Sequence, residues 1–275
     1  MTTGVDPTAI VARAPAMTTG VDPTAIVSPE ARLAEGVTIG PYAVVGSGVT
    51  LGARTQVGAH ASIEGPTELG EENRIFPHAV LGFDPQDLKY HGEKTRLRVG
   101  SRNVFREFST IHRGTVTGRG ETVIGDNNYF MSYSHVAHDC RIGSHTVFAN
   151  SASLAGHVDV GDRVVLGAFV GAHQFTRIGQ YAFAGAYAQL RQDVLPYFKT
   201  DGIEAKTYGL NRIGLQRLGF SAESLKALER AYRLLIKSKL NTTQALERIE
   251  AELPGEEHVA HLVRFIRESK RGFHR

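Results

Sequence analysis

The sequence predicts an all-β solenoid followed by α-helices: a left-handed parallel β-helix of hexapeptide repeats with a C-terminal helical domain. An aliphatic residue stands at every sixth position from Val21 to Leu81, and a small or branched residue recurs four positions after it. The pattern stops near Pro196, where helical periodicity begins. A period of six is neither the 3.6 of a helix nor the alternation of a single strand. It is typical of β-helices in which each unit is one short strand and a corner.

The six-residue phase continues well beyond Leu81. It resumes at Val99, slips by one residue after a polar segment, and runs unbroken from Ile124 to Leu190. Three units form one triangular coil, and successive coils stack roughly 4.8 Å apart. We therefore expect about nine or ten coils, with the large and small side chains filling the interior. The left hand is that of hexapeptide prisms as a class, because the spacing alone does not determine it.

Glycines and polar segments mark the connections of this β-helix. Glycine often follows the aliphatic residue, as at Gly40, Gly52 and Gly58, and it is predicted to adopt positive φ near the corners. Two polar segments interrupt the repeat, Phe83–Leu97 and Gly114–Thr122. Loops that leave a rigid scaffold commonly carry function, so both are candidate parts of a site.

The region after the repeat predicts three helices. A basic segment, Tyr208–Gly219, comes first. Ser221 is a plausible N-cap for a helix over 222–239, and Asn241 or Thr242 for one over 243–253 that Pro254 ends. A last helix is predicted to turn four residues inward: Val259, Leu262, Val263 and Ile266. A helical unit here also covers the exposed end of the β-helix.

The N-terminus contains a duplication. Met1–Val11 has the same sequence as Met17–Val27, at an offset of 16 residues that is not a multiple of six. Only the second copy joins the hexapeptide phase. We therefore predict a disordered tail over 1–16, a β-helix domain over 17–195 and a helical domain over 196–275.

Composition narrows the class of protein. The single Cys140 excludes a disulfide framework within the chain and suits a reducing compartment. There is no apolar run long enough to span a bilayer and no signal-peptide pattern over 1–16. We expect a soluble cytoplasmic protein without integral membrane association and without a nucleic-acid partner. The net charge is +3, and residues 196–275 carry 15 Lys and Arg against 10 Asp and Glu. That excess suits an acidic partner, although a solvated helix surface would explain it equally well.

The register of the repeat predicts a cluster of polar residues on one outer column. His138 lies two residues after the inward Val136, with Gly156 one coil later and Gln174 two coils later. By the same arithmetic His157 stacks over Asp139, and His173 lies beside Gln174. The repeat thus gathers these residues within ~10 Å.

These residue types suggest general-base chemistry. His138 can accept a proton near neutral pH, and Asp139 or a backbone group can orient its ring. The N–H of Gly156 can approach an oxyanion closely, because no side chain intervenes. Cys140 is expected to face another way or a corner, so a substrate hydroxyl is the better nucleophile. A competing use of the histidines is a zinc site formed by His135, His138 and His157, although the supporting residues of a γ-class carbonic anhydrase are not evident.

Five strings in order resemble the UDP-N-acetylglucosamine acyltransferase family: QDLKY (Gln86–Tyr90), IHRGT (Ile111–Thr115), HVAHDC (His135–Cys140), LAGHV (Leu154–Val158) and HQF (His173–Phe175). The resemblance covers about Met17 to Arg275. It implies transfer of an (R)-3-hydroxyacyl group from acyl carrier protein to the 3-hydroxyl of UDP-N-acetylglucosamine, the first committed step of lipid A synthesis. It also implies a homotrimer with sites between adjacent β-helices, an acyltransferase role for the β-helix domain, and neither a cofactor nor a metal.

The resemblance also implies roles for individual residues. His138 matches the family's general base, Asp139 the acid beside it and Gly156 the backbone oxyanion donor. The substrate-binding positions of the family are matched by Asp87, Lys89, His135, His157, His173, Gln174, Asn211 and Arg217. Ile213 and Leu218 depart from the family, which often has an acidic residue and an arginine there. Two alternatives are an N-acyltransferase acting on a 3-amino or 2-amino UDP-sugar and a non-catalytic hexapeptide scaffold.

Overall fold

The computed structural model describes residues 20–275, and the predicted tail over 1–16 lies outside the described residues. The chain forms a left-handed parallel β-helix followed by helices, as the sequence predicts. Three sheets form the faces of a triangular prism, and up to residue 190 the strands that pair are three positions apart in chain order. Among these residues no helix is long and apolar enough to cross a lipid bilayer.

The strands are short and fall into three sheets. Sheet 1 contains β1 (Ile26–Val27), β4 (Val44–Val45), β7 (Ser62–Ile63), β10 (Val80–Phe83), β13 (Thr110–His112), β16 (His135–Val136), β19 (Ser153–Leu154), β22 (Gly171–Ala172) and β25 (Gln189–Leu190). Sheet 2 contains β2 (Arg32–Leu33), β5 (Val49–Leu51), β8 (Thr67–Leu69), β11 (Arg96–Val99), β14 (Glu121–Ile124), β17 (Arg141–Ile142), β20 (Asp159–Val160) and β23 (Arg177–Ile178). Sheet 3 contains β3 (Thr38–Ile39), β6 (Gln56–Val57), β9 (Arg74–Ile75), β12 (Val104–Phe105), β15 (Tyr129–Phe130), β18 (Val147–Phe148), β21 (Val165–Leu166), β24 (Phe183–Ala184), β26 (Phe198–Asp201) and β27 (Lys206–Leu210).

The strand register confirms the 18-residue coil. Val136 pairs with Leu154, which in turn pairs with Ala172, and all three side chains are buried. Val99 pairs with Ile124, 25 residues on, so the predicted slip of the phase is also confirmed. The small residues four positions later point inward as well, and with the aliphatic ones they form one continuous core.

Some of these small inward positions are polar, and they form a buried ladder. The Asn103 side-chain amide donates to Asn73 Oδ1 at 3.0 Å, and the Asn128 backbone N–H donates to Asn103 Oδ1 at 2.9 Å. Thr146 Oγ1 donates to Asn128 Oδ1 at 2.8 Å. Because each buried polar atom in this ladder has a partner, the ladder does not leave a desolvation cost uncompensated.

The corners are turned by larger residues than the sequence suggested. The residue with positive φ is usually non-glycine, as with Tyr42 at 56° and His60 at 56°. The predicted positive φ was therefore wrong for Gly40, Gly52 and Gly58, whose use is close packing between coils. A Cβ on Gly58 would lie 2.7 Å from the backbone nitrogen of Pro77, which is closer than any side chain can approach. We call the corner between sheets 1 and 2 the first corner, that between sheets 2 and 3 the second, and that between sheets 3 and 1 the third.

The C-terminal region has a core of its own. Its helices are α1 (Arg212–Arg217), α2 (Ala222–Tyr232), α3 (Thr242–Glu252) and α4 (Glu257–Arg267), with a π-helical turn at Arg233–Lys237. Ser221 caps α2 by accepting from Ser224 N–H, and Asn241 forms a capping box with Gln244, as predicted for both starts. The four residues predicted to face inward on the last helix are buried.

The sequence did not predict the hairpin of β26 and β27, which extends sheet 3 beyond residue 195. The two hydrophobic cores divide close to that point, since Val194 belongs to the first core and Leu195 to the second. The domain division at 195 and 196 stays a prediction.

Candidate active site

Both interruptions of the repeat leave the prism at the first corner. The first loop, residues 84–95, connects β10 to β11, and the second loop, residues 113–120, connects β13 to β14. Each joins a strand of sheet 1 to a strand of sheet 2. His138 and Asp139 follow β16 in the same way, and Gly156 and His157 follow β19. The fold therefore brings two loops and the predicted histidine column to one edge of the prism.

A buried pair of side chains lies at the centre of this edge. His138 Nδ1 lies 2.8 Å from Asp139 Oδ2, the Asp139 side chain is fully buried, and His138 is 8% exposed. The second loop surrounds the carboxylate. The Asp139 carboxylate accepts from Thr115 Oγ1 at 2.7 Å and from the Arg119 backbone N–H at 2.7 Å, and the Thr115 backbone N–H also donates to it.

These hydrogen bonds decide the ionisation of the carboxyl group. Burial acts to raise the pKa of Asp139, but hydrogen bonds from His138, Thr115 and Arg119 outweigh it and lower the pKa to about 2. An ionised carboxylate can only accept, so the Nδ1 of His138 carries the proton in their shared hydrogen bond. The neutral imidazole then presents an unprotonated Nε2.

Gly156 lies against the other side of the imidazole, one coil further along. A Cβ at this position would stand 2.5 Å from His138 Cε1 and 2.7 Å from Nε2, so only glycine fits beside the ring. The backbone N–H of Gly156 makes no hydrogen bond to any group within residues 20–275. Nε2 and a free backbone N–H thus border the same space.

His157 extends the column. Its ring meets that of His138 edge-on, with centroids 5.1 Å apart, and stacks on Phe175 at 4.6 Å. Its Nε2 lies 3.8 Å from Asp139 Oδ2. Burial lowers the pKa of His157, and the charge of Asp139 opposes that effect. Gln174 is half-buried and lies two residues after Ala172, which pairs with Leu154, so the register places it one coil beyond Gly156 in the predicted column.

His135 lies three residues before His138, and its ring contacts that of His112, which was not predicted as a site residue. His135 Nδ1 is 2.7 Å from Thr110 Oγ1, and its ring meets His112 edge-on at 5.2 Å. His112 is 6% exposed, and its Nδ1 has no hydrogen-bond partner among the described residues. Burial, aided by repulsion from His135, lowers the pKa of His112 to about 4. The signal that could have selected His112 is its place directly after the inward Ile111, which pairs with Val136 as Thr110 pairs with His135.

The first loop borders the same space. A cavity of about 430 Å³ is lined by Gln86 of this loop together with His135, His138 and Gly156, and by residues of β19 and β22. Asp87 is half-buried and accepts from the Lys89 backbone N–H at 3.0 Å. The charge of Asp87 acts to raise the pKa of His157, against the dominant effect of burial, so it lies close to the column. The Lys89 side chain is exposed.

Of the three remaining predicted binding residues, His173 lies further along this edge, and the other two lie elsewhere. His173 is exposed, and its Nδ1 lies 3.0 Å from the carbonyl oxygen of Gln174 and 3.3 Å from Arg271 Nη2. Asn211 precedes α1 and donates to the carbonyl oxygen of Tyr181, which lies at the second corner. Arg217 ends α1 and is exposed. Within one chain, Asn211 and Arg217 therefore belong to a different edge from His138.

A metal ion is a poor match for the polar cluster. Nitrogen or oxygen atoms of His138, Asp139 and His157 lie within 4.8 Å of one another, close enough for a shared ion. The oxygens of Asp139, however, already accept from Thr115, Arg119 and His138. An ion would have to displace these donors, so the hydrogen bonds explain the arrangement better.

Cys140 is not available as a nucleophile. Its side chain points into the prism at one of the small inward positions and is fully buried. Burial raises the pKa of the thiol to about 12. The thiolate form needed for attack is therefore strongly disfavoured.

Comparisons with known proteins agree with this fold. The family model described as UDP-N-acetylglucosamine O-acyltransferase, domain 2, matches residues 193–274, and the bacterial transferase hexapeptide model matches 30–65 and 121–156. The acyl-[acyl-carrier-protein]–UDP-N-acetylglucosamine O-acyltransferase of Alkalilimnicola ehrlichii is 52% identical over 98% of both chains. Its namesake from Thiobacillus denitrificans is 51% identical over 89% of this chain and 95% of its own.

Solved structures give the same result. The UDP-N-acetylglucosamine acyltransferase of Bacteroides fragilis superposes with a TM-score of 0.91 at 38% identity, covering 92% of this chain and 99% of that one. The enzyme of Francisella novicida gives a TM-score of 0.89 at 35% identity, covering 93% and 94%. The chain therefore belongs to the UDP-N-acetylglucosamine O-acyltransferase family.

Proposed function

We propose that this chain transfers an (R)-3-hydroxyacyl group from acyl carrier protein to the 3-hydroxyl of UDP-N-acetylglucosamine, the first step of lipid A biosynthesis. The observation that carries the proposal is the His138–Asp139 pair, joined at 2.8 Å and bordered by the free N–H of Gly156. The names of the 52% and 51% identical relatives support the same donor and acceptor.

His138 acts as the general base in this proposal. Its Nε2 takes the proton of the sugar hydroxyl while that oxygen attacks the thioester carbonyl carbon. The new C–O bond forms a tetrahedral intermediate. When the C–S bond breaks, the leaving thiolate of the carrier protein takes the proton back from Nε2. An ester and a free thiol result, and no covalent enzyme intermediate is needed.

Asp139 and Gly156 assist this step electrostatically. The ionised carboxylate holds Nδ1–H and stabilises the imidazolium that forms when Nε2 takes the proton. The N–H of Gly156 donates to the oxyanion of the intermediate, where charge develops in a partly buried site. Both groups lie against opposite parts of the same imidazole ring.

The remaining predicted residues bind substrate in this proposal. Asp87 and Lys89 reach the sugar nucleotide or acyl chain from the first loop, while His135 and His157 flank the base. Gln174 and His173 bind further along the edge. The cavity has small, mostly apolar walls on β19 and β22, which suits part of an acyl chain.

We further propose that the active enzyme is a homotrimer in the cytoplasm. Asn211 and Arg217 lie at the second corner of the chain and His138 at the first, so they contribute to one site only if adjacent subunits meet there. Arg217 and the net positive charge of residues 196–275 suit docking of an acidic carrier protein. Exposed Ile213 and Leu218 beside Arg217 replace polar nucleotide contacts that relatives often have.

An N-acyltransferase is the alternative, because the same base would serve an amine on the sugar. Incubation of the purified chain with 3-hydroxyacyl carrier protein and either UDP-N-acetylglucosamine or its 3-amino analogue separates the two. We expect product from the hydroxyl sugar, and the product should lose its acyl group in mild alkali as an ester does. Turnover of the amino sugar alone, giving an alkali-stable amide, would contradict the O-acyltransferase proposal.

A further inference from the structure

The second loop and the strand that follows it, β14, hold Asp139 through both its carboxylate and its backbone groups. The carboxylate accepts from Thr115 Oγ1 at 2.7 Å and from the Arg119 N–H at 2.7 Å. The Asp139 backbone carbonyl accepts from Arg119 Nη1 at 2.9 Å, and its N–H donates to Thr122 Oγ1 at 2.9 Å. Asp139 also has a φ of 60°, close to that of the other residues of its column, so its backbone follows the regular corner of the prism.

An ion pair fixes the loop in this position. Arg119 donates from Nη1 to Asp159 Oδ1 at 2.6 Å and from Nη2 to Asp159 Oδ2 at 2.9 Å. Asp159 begins β20, one coil further along the prism. The guanidinium thus joins the backbone of Asp139 to a neighbouring strand in a two-pronged geometry that lysine cannot reproduce.

The loop fits closely over the carboxylate. A Cβ on Gly118 would lie 2.4 Å from the Asp139 Oδ2, so a side chain there would force the loop away. Thr115 is 3% exposed. Water therefore has little room to replace the donors of the loop.

From these contacts we infer that Thr115 and Arg119 are positioning residues that act on His138 through Asp139, with Asp159 anchoring Arg119. The expected effect on catalysis rests on the proposed function, whereas the positioning of Asp139 and His138 does not. Thr115 and Arg119 do not touch the reacting atoms. They fix the direction of the Asp139 carboxylate, and their hydrogen bonds partly neutralise its negative charge. Both effects set how strongly Asp139 accepts from the Nδ1–H of His138.

Several other titratable or charged groups surround the His138–Asp139 pair. His112, His135 and His157 lie on the strand and corner side, Asp87 lies on the first loop, and Arg119 with Asp159 lies behind the carboxylate. Removal of a donor from Asp139 leaves more negative charge for the imidazolium. A higher pH is then needed to remove the proton from Nε2, so the acid limb of the pH profile of kcat/KM should move to higher pH.

The test uses Thr115→Val, which keeps the volume but loses the donor, and Thr115→Ser, which keeps the hydroxyl. In the full-length enzyme we expect Thr115→Val to lower kcat roughly tenfold and to move the acid limb of kcat/KM upward by on the order of 1 pH unit. Thr115→Ser should restore both. Arg119→Met and Asp159→Asn test the anchor from its two sides, and both should move the limb in the same direction.

The matched control is Arg96→Met. Arg96 forms an ion pair with Glu121 at 2.9 Å beside the end of the same loop, and no hydrogen bond joins it to Asp139 among the described residues. This variant should keep the wild-type limb. If Thr115→Val and Arg119→Met lower only the thermal midpoint and leave the limb in place, the residues are structural and the inference is wrong.

A second readout needs no substrate. Nitrogen chemical shifts of ¹⁵N-histidine-labelled protein report which ring nitrogen of His138 carries the proton, with His138→Gln used to assign the signal. We expect Nδ1–H in the wild type and a changed Nδ1–H signal in Thr115→Val and Arg119→Met. Unchanged signals in both would overturn the inference. If acyl transfer is absent while these signals change, the proposed function fails and the positioning role stands.

Discussion

The first and third corners of the prism have the same backbone and different chemistry. At the third corner Tyr42, His60, His78, Phe108 and Tyr133 stack in one column with ring centroids 5.0 to 5.2 Å apart. Tyr42 is 59% exposed and Phe108 is 44% exposed. At the first corner the equivalent column contains Asp139, His157 and Phe175, all with φ near 60°. There, Asp139 is fully buried and hydrogen-bonded.

The difference lies in what covers each corner. Between Ile26 and Leu190, both long interruptions of the six-residue spacing fall at the first corner. The third corner has compact turns throughout the same range, so its two histidines stay exposed to solvent and only stack on neighbouring rings. A repeat therefore supplies stacked positions, whereas inserted loops supply the burial and hydrogen bonds that turn one of those positions into a site.

The largest expected effect comes from removing the proposed general base at the first corner. His138→Ala should reduce kcat by roughly 10² to 10⁴, because the general base is lost while the side chain lies outside the hydrophobic core. His60→Asn is the control at the third corner, since asparagine tolerates the left-handed backbone there. It should keep kcat within about threefold, as expected for a surface change without a role in the step. Steady-state kinetics with circular dichroism checks both, and a His138→Ala enzyme of near-normal kcat would remove this residue from the mechanism.

A smaller effect is expected from crowding the same imidazole. In Gly156→Ala the new Cβ would meet His138 Cε1 at 2.5 Å, so the ring must move. A displacement of about 1 Å costs on the order of 10² in kcat. Gly171→Ala adds a methyl group to the same cavity with no atom within 4 Å, and its loss should be clearly smaller. Equal kcat values for the two variants would show that the close approach of Gly156 is unimportant.

The smallest effect concerns stability rather than rate. The pKa of His112 falls from its ordinary 6.5 to about 4 through burial and the nearby His135, so below pH 6.5 the unfolded chain binds a proton that the folded chain does not. The stabilisation is complete above about pH 6.5, and it is lost as the pH falls towards 4. It amounts to at most about 3 kcal/mol.

The pKa of Asp139 falls from 3.8 to about 2, so the folded state loses further stability as the pH falls from 3.8 to about 2 and Asp139 is protonated. We expect the fall in thermal midpoint between pH 7 and 5 to be smaller in His112→Asn than in the wild type. His60→Asn, on the exposed stack, should keep the wild-type fall. The same fall in all three proteins would show that His112 does not contribute.

Periodicity predicted the parts of the molecule that repeat. The register over Ile124 to Leu190 placed His138 beside Gly156 and His157 over Asp139, because strand pairing converts 18 residues of sequence into one coil. The caps at Ser221 and Asn241 were predictable for a similar reason, since they depend on residues three positions away. His112, Thr115 and Arg119 received no individual role from the sequence, because they lie in or beside insertions that have no period.

The sequence by itself determined the prism, its phase slip and the order of residues along the first corner, because these follow from local spacing and from the size of inward side chains. Only the tertiary structure decided that Thr115 and Arg119 surround Asp139 and that Asn211 lies at another edge. It also decided that Gly40, Gly52 and Gly58 serve close packing rather than positive φ. Those features depend on how an irregular loop or a neighbouring coil fills space, and contacts across 20 to 40 residues leave no pattern in the spacing of the chain.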